Sequence, residues 1–321
     1  MRILYAAGNR QGSFFQLKRF LDTIRHKGIE YKISAYKKSL GNLSVDYTLD
    51  SLLNFVNSEQ GFSYNGNYTY YYNEIKRFKP DLIISDLDPY TSIIALELGI
   101  VLWQVSPLLL YQALPYEVKY SAKINSNYSF LFSSNHRRKK SLSYIVNNSD
   151  RKFVVSHLCD AGKNIQLNPG FEWVRPEFVL SDENTEELEF VVALPSGSAN
   201  IAHSLRETNS IMFTNHNYDR YDKLLIENIY NEKEYKKQIG RGKVFISDGS
   251  AALSSDAFYN QKTSLFDVQP FDMESIIVSH LDEYFGLGKI IPHDMNADNL
   301  APAQIVINDK VKFLHEELEA R

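Results

Sequence analysis

A single cysteine, Cys159, in 321 residues leaves no partner for an intramolecular disulfide and no material for a cysteine metal cluster, which fits a reducing compartment. No apolar run approaches the length of a membrane-spanning helix. The opening MRILYAA is too brief for the apolar core of a signal peptide, so the cytoplasm is the expected location. Strong charge of either sign is lacking too: 35 Lys and Arg stand against 39 Asp and Glu, a net of −4. The chain as a whole therefore exerts no long-range pull on nucleic acid or anionic lipid, and any such partner needs a local patch. Histidine is sparse, at 8.

What is present is 44% hydrophobic residues, enough to bury one large core or two smaller ones. Short apolar runs alternate with helical patterns, the signature of parallel sheets built from βαβ units. RILYAA reads as a first strand, 13–27 as a helix with Phe14, Leu17, Phe20 and Leu21 on one face, and YKISAY as a second strand. A helix at 49–57 and another ending before Pro80 follow. The stretch DLIISDLDPYTSIIALELGIVLWQVSP then gives a strand at 82–85, a helix from Pro89 to Gly99 and a strand at 100–105. The pattern weakens over 106–152, FVVSHL at 153–158 reads as a strand, and NPGFEWVRPEF has the Pro, Gly and aromatic character of an interdomain connection. The alternation restarts with FVVALPSGSANIAHSLRE, a strand in SIMFTNHN, charged helix material at 221–239, KVFISDGSAALSSDAFYNQ, a strand in TSLFDV and the helix DMESIIVSHLDEYFGLG. The expectation is two successive α/β units with a ligand cleft between them.

Two segments pair a glycine loop with a following helix, the arrangement that holds phosphate at a helix N-terminus. The first is AAGNRQGSFF near the start. The second, ISDGSAALSSDAF, is the better candidate: Asp248, Gly249 and Ser250 form a turn, Ser250 can cap the helix, and Asp256 projects a carboxylate one or two turns in. Asp86 and Asp88 lie just past the strand at 82–85, where ligand groups gather in open α/β sheets, although Asp88 before Pro89 also reads as a helix cap. The one basic run, HRRKK at 136–140, has Lys119, Lys123 and several tyrosines near it, and reads either as a solvated loop or as a seat for a phosphate-bearing acceptor.

The segments PDLIISDLDPYTSIIALELGIVLWQVSP and GKVFISDGSAALSSDAFYNQKTSLFDVQPFDMESIIVSHLDEYFGLGKII resemble the GT-B glycosyltransferases, specifically their MurG-like branch (glycosyltransferase family 28-like). That resemblance implies an α/β fold of two Rossmann-like domains facing each other across a cleft. Residues 1–170 would form the acceptor side, 171–305 the nucleotide-sugar side, and 306–321 a C-terminal helix packing back on the first domain. It implies transfer of a sugar, hexosyl or pentosyl, from a nucleoside-diphosphate sugar, UDP foremost, with no tightly bound cofactor and no divalent metal required. Carried over by residue, Asp248, Gly249, Ser250 and Ala251 would face the diphosphate and Asp256 the ribose. Asp272 and Glu274 would hold the donor sugar's hydroxyls, unless they are simply acids at a helix N-terminus; Ser196, Gly197 and Ser198 would face the phosphates, and Asn215 and His216 the base. Asn9, Arg10, Gly12 and Ser13 would line the acceptor side, with Arg137 and Arg138 of the basic run reaching an acceptor such as a hydroxymethylated base in duplex DNA, a glycan or a lipid. The branch often carries a histidine in its first loop, where this chain has Gly12-Ser13, so Asp88 or Asp86 is the expected base and Ser13 a third catalytic candidate. The same residues suit a catalytically silent nucleotide-sugar binder. A nucleotide-sugar 2-epimerase shares the architecture, and the few histidines count against it.

Overall fold

The computed structural model describes residues 1–8, 17, 20, 21, 24, 28–36, 45–49, 56–58, 61–63, 68–124, 143–161, 165–181, 185, 187–218, 221–268 and 272–291. The chain forms two compact units. Met1–Pro115, Asn125–Val155 and Gln166–Val174 make the first; Tyr116–Ile124, Ser156–Ile165 and Arg175–Arg321 make the second. The sequence suggests one cut near 170; instead two short pieces before that point group with the second unit.

The first unit is a seven-stranded sheet in the order β3-β2-β1-β6-β7-β8-β9. Its strands are β1 (Arg2–Ala6), β2 (Glu30–Tyr36), β3 (Tyr47–Leu49), β6 (Leu82–Ser85), β7 (Val101–Ser106), β8 (Arg151–Val155) and β9 (Glu172–Val174). Every neighbouring pair is parallel. Such a sheet is covered on both faces, which is why β6 reads LIIS and is buried at all four positions. Leu4, Ile83 and Leu102 face one core with Ile75 and Ile94, while Ile3, Tyr5, Leu82 and Ile84 face the other with Leu17, Leu21 and Ile24. Those last three, with Phe20, are the helical positions described in the expected first helix. The period of two along each strand and burial on both sides account for the uniformly apolar runs.

A small antiparallel pair, β4 (Val56–Ser58) with β5 (Gly61–Ser63), precedes helix α1 (Tyr68–Phe78). The helix expected at 49–57 is thus overturned at both ends, since Leu49 closes β3 and Val56 opens β4. Glycine, asparagine and serine dominate the following residues and favour turns over helix. The helix expected before Pro80 is α1. Helix α2 (Pro89–Leu98) joins β6 to β7, with proline in its first turn and Asp88 as N-cap. The presumed interdomain connection carries β9, the seventh strand.

The second unit is a six-stranded sheet in the order β12-β11-β10-β13-β14-β15, again parallel throughout. Its strands are β10 (Leu188–Ala193), β11 (Ser210–Thr214), β12 (Leu224–Asn228), β13 (Gly242–Ser247), β14 (Thr263–Phe266) and β15 (Gly288–Ile290). A helix α3 (Tyr116–Ser121) belongs to this unit, along with α4 (Ala199–Leu205), α5 (Glu232–Ile239), α6 (Ala251–Tyr259) and α7 (Met273–Phe285). Phe190, Val192, Met212, Val244, Ile246 and Leu265 pack beneath Ile201 and Leu205. The charged helix expected over 221–239 is shorter, because Leu224–Asn228 pairs with β11 as an edge strand. One side of that strand faces solvent, with Leu225 62% exposed, so its run lacks the signature of a buried strand.

Both sheets reverse their strand order after the first strand, between β1 and β6 and between β10 and β13. Ligands of doubly wound sheets sit outside the C-terminal strand ends at that reversal. Among the described residues no helix is long and apolar enough to cross a membrane.

Candidate functional site

In the second unit the reversal point opens on two glycine loops. After β10 the chain turns through Ser196, Gly197 and Ser198, and Ser198 caps α4 by accepting the Ile201 amide at 3.4 Å. Gly197 has φ +70, and a Cβ there would lie 2.4 Å from the Tyr218 hydroxyl and 3.0 Å from the His216 ring. Only glycine lets those two side chains close over the loop. The sequence-predicted His216 and the 196–198 loop are therefore brought together, and Tyr218 is an addition that sequence reasoning missed. The tyrosine-bearing run NHNYDRY just after a strand end was the available signal.

Asn215, His216 and Tyr218 also line a hollow of about 510 Å³ that runs from the end of β11 along the whole of edge strand β12, Leu224–Asn228. That volume falls within the range of small-molecule sites. Asn215 Nδ2 donates to the Tyr230 hydroxyl at 3.3 Å. Amide, imidazole and phenol groups at one strand end can both stack on and hydrogen-bond a flat heterocycle.

The second loop follows β13. Gly249 has φ +79, and a Cβ there would meet the Ser275 carbonyl and the Ser279 Cβ at 3.1 Å, so the first turns of α7 press directly on this turn. Ser250 occupies the N-cap of α6, yet its side chain makes no capping bond. The capping expected of it is done by two carboxylates. Asp248 Oδ1 accepts the Ser250 amide at 2.8 Å, and Glu274 Oε1, reaching across from α7, accepts the Ala251 amide at 3.0 Å. Asp272 caps α7 by accepting the amides of Glu274 at 2.9 Å and Ser275 at 3.4 Å. Burial pushes the Asp248 carboxyl up from 3.8 to about 6, with the neighbouring Asp272 charge adding to the rise.

Asp256 has a different task from the one the resemblance implies. It is fully buried; Oδ1 accepts the Val179 amide at 2.7 Å and Oδ2 the Tyr235 hydroxyl at 3.0 Å. With both oxygens held by protein, it braces α6 rather than facing a ribose.

In the first unit Asp86 and Asp88 follow β6 at the reversal point, as expected, and both are buried, at 1% and 0% exposure. Asp88 is the cap: Oδ2 accepts the Thr91 amide at 2.8 Å and Oδ1 the Tyr36 hydroxyl at 2.6 Å. Desolvation raises its pKa, opposed by those hydrogen bonds. Between the aspartates Leu87 adopts φ +53 while its amide donates to Gln104 Oε1 at 3.2 Å. Asn9, Arg10, Gly12, Ser13, Arg137 and Arg138, the basic run at 136–140 and the C-terminal stretch 306–321 lie outside the described residues.

One further cluster mimics a nucleophile triad. His157 Nε2 lies 2.9 Å from Asp282 Oδ1 and its Nδ1 3.3 Å from Ser255 Oγ. All three residues are at most 2% exposed, and the group pins the segment after β8 onto α6 and α7. Among the described residues no group of three or more His, Cys, Asp or Glu is arranged to hold a metal ion.

No protein-family model matches the chain, and no curated protein does. Solved structures match along its whole length. Spinosyn forosaminyltransferase SpnP superposes with a TM-score of 0.63 at 14% identity, covering 100% of this chain and 95% of its own. The glycosyltransferase VinC in complex with dTDP gives 0.59 at 10%, with 100% and 96% covered. A UDP-GlcNAc 2-epimerase from Methanocaldococcus jannaschii gives 0.53 at 12%, with 97% and 94% covered. At such identities the likeness is one of fold: the chain has the two-Rossmann architecture that GT-B glycosyltransferases share.

Proposed function

We propose that this protein is a glycosyltransferase that moves a sugar from a pyrimidine nucleoside-diphosphate donor to an acceptor hydroxyl. The observation that carries the reading is the convergence, at neighbouring strand ends of the second sheet, of the Ser196–Ser198 loop, the Asp248–Ser250 turn and the Asn215–Tyr218 hollow. A base in the hollow would be flanked by His216 and Tyr218. The diphosphate would meet the N-terminus of α6, whose dipole and amides stabilise the charge that builds on the leaving group. Asp272 and Glu274 are assigned to the sugar's hydroxyls, as the resemblance implies.

The acceptor oxygen attacks the anomeric carbon, the bond from that carbon to the diphosphate oxygen breaks, and the acceptor's proton passes to a base. We assign the base to the carboxylates after β6, Asp88 or Asp86, which follow the strand at the reversal point of the first sheet. The pairing of a dTDP complex with a UDP-sugar enzyme among similar folds supports a pyrimidine donor, UDP or dTDP.

The test is incubation with UDP- and dTDP-sugars, with release of free nucleoside diphosphate followed over hours. Slow hydrolysis without acceptor, and a rise in melting temperature with the matching diphosphate, are expected. Binding without turnover in the presence of candidate acceptors would leave a silent binder. Recovery of an epimerised sugar nucleotide would favour the epimerase reading instead.

A further inference from the structure

Two amides at the N-terminus of α6, where the proposed function seats the donor diphosphate, are held by the chain's own carboxylates. The Ser250 amide is on Asp248 and the Ala251 amide on Glu274. The two holds differ in kind. Asp248 sits two residues from its donor, so that bond belongs to the turn itself and moves with it. Glu274 arrives from another helix, 23 residues on, through a side chain with three torsions.

The backbone around Glu274 is fixed. Asp272 caps the Glu274 and Ser275 amides, and Gly249 packs so closely on Ser275 and Ser279 that a single Cβ would press against them. Movement is therefore left to the Glu274 side chain. Its carboxylate occupies a favourable place for an anion, a helix N-terminal amide, and only 2% of the residue is exposed. A diphosphate oxygen seeking that same amide would meet a like charge with no water between them.

We propose that Glu274 is a latch. Its carboxylate stands in for phosphate while the site is empty, and the donor enters by moving it from the Ala251 amide to the hydroxyls of the donor sugar. The inference rests on the glycosyltransferase reading. It has a directional consequence: an intact donor offers Glu274 new hydrogen bonds, whereas a nucleoside diphosphate that has lost its sugar offers none. After transfer the carboxylate returns to Ala251 and helps expel the product.

Calorimetric affinities of UDP and dTDP for the wild-type protein, Glu274→Ala and Glu274→Gln test this, with uridine and thymidine as uncharged controls. The bare diphosphates are expected to bind Glu274→Ala at least tenfold more tightly than wild type, with Glu274→Gln between them and the nucleosides unchanged. The intact nucleotide sugar should gain less than the bare diphosphate, because it loses the hydroxyl partner. Equal diphosphate affinity in wild type and variants would remove the latch and leave the glycosyltransferase reading standing. Failure of every folded variant to bind any nucleoside diphosphate would overturn both. Should Glu274→Ala not fold, as judged by circular dichroism, the gain in Glu274→Gln decides the question.

Discussion

The Tyr235 hydroxyl donates to Oδ2 of the fully buried Asp256 at 3.0 Å, bridging α5 to α6. With the Val179 amide on Oδ1, that carboxylate joins three separate parts of the second unit. Replacing Asp256 with asparagine turns one acceptor into a donor and leaves a buried group mispaired. The expected cost is about 1–3 kcal/mol of stability, read as a lower melting temperature, with nucleoside-diphosphate affinity unchanged. Weakened nucleotide binding at an unchanged melting temperature would return Asp256 to the ribose.

Asp248 makes stability depend on pH. Its pKa rises from 3.8 to about 6 on folding because burial disfavours the charge. Between those values the folded chain holds a proton that the unfolded chain has released. Stability therefore falls as pH rises through this window and recovers on acidification, by on the order of 2–3 kcal/mol for this group. Asp248→Asn, neutral throughout, should flatten that component. Melting curves of both proteins at about pH 3.5 and about pH 7.5, either side of the window, give the comparison; an identical drop in both would show that Asp248 is not its source.

Gly197→Ala tests the hollow. The added methyl would fall 2.4 Å from the Tyr218 hydroxyl, at a backbone angle of φ +70 that alanine resists. A stability loss of about 1–2 kcal/mol is expected from the left-handed backbone. Displacement of Tyr218 and His216 should also weaken UDP or dTDP binding more than it weakens pyrophosphate binding. Equal loss for both ligands would mean the hollow does not receive the base.

Tyr36→Phe removes the hydroxyl that Asp88 Oδ1 accepts at 2.6 Å. The buried carboxylate keeps its bonds to the first turn of α2 and loses the tyrosine, at an expected cost of about 1–3 kcal/mol. In Asp88→Asn the same tyrosine change should cost measurably less, because the charge it serves is gone; a double-mutant cycle on denaturant midpoints reads the coupling.

The alternation of strand and helix was legible because parallel strands covered on both faces run apolar on both, as Leu82, Ile83 and Ile84 of β6 do. Edge elements were not. β12 leaves Leu225 in solvent and β9 lies in a Pro- and Gly-rich stretch, so neither carries that signature. At the site, the strand, turn and helix pattern pointed to Asp248–Ser250, whereas Ser196–Ser198, Asn215, His216 and Ala251 came from the family resemblance. It could not tell which way the acids turn. Asp256 turns inward to Val179 and Tyr235, and Glu274 reaches across 23 residues to cap another helix. Such choices depend on tertiary partners, here Val179, Tyr235 and Ala251, that no local pattern contains.

Leu87 holds a left-handed conformation, φ +53, between the two aspartates after β6, and its residue is 8% exposed. A leucine there costs roughly 1–2 kcal/mol that glycine would not. Its burial and its amide bond to Gln104 anchor the bend against that strain. The elbow is thus a sprung joint, whose tension sets the directions in which Asp86 and Asp88 leave the chain. Leu87→Gly would relieve that strain while giving up the buried leucine side chain, so that in this corner of the fold backbone relaxation and apolar burial pull against each other.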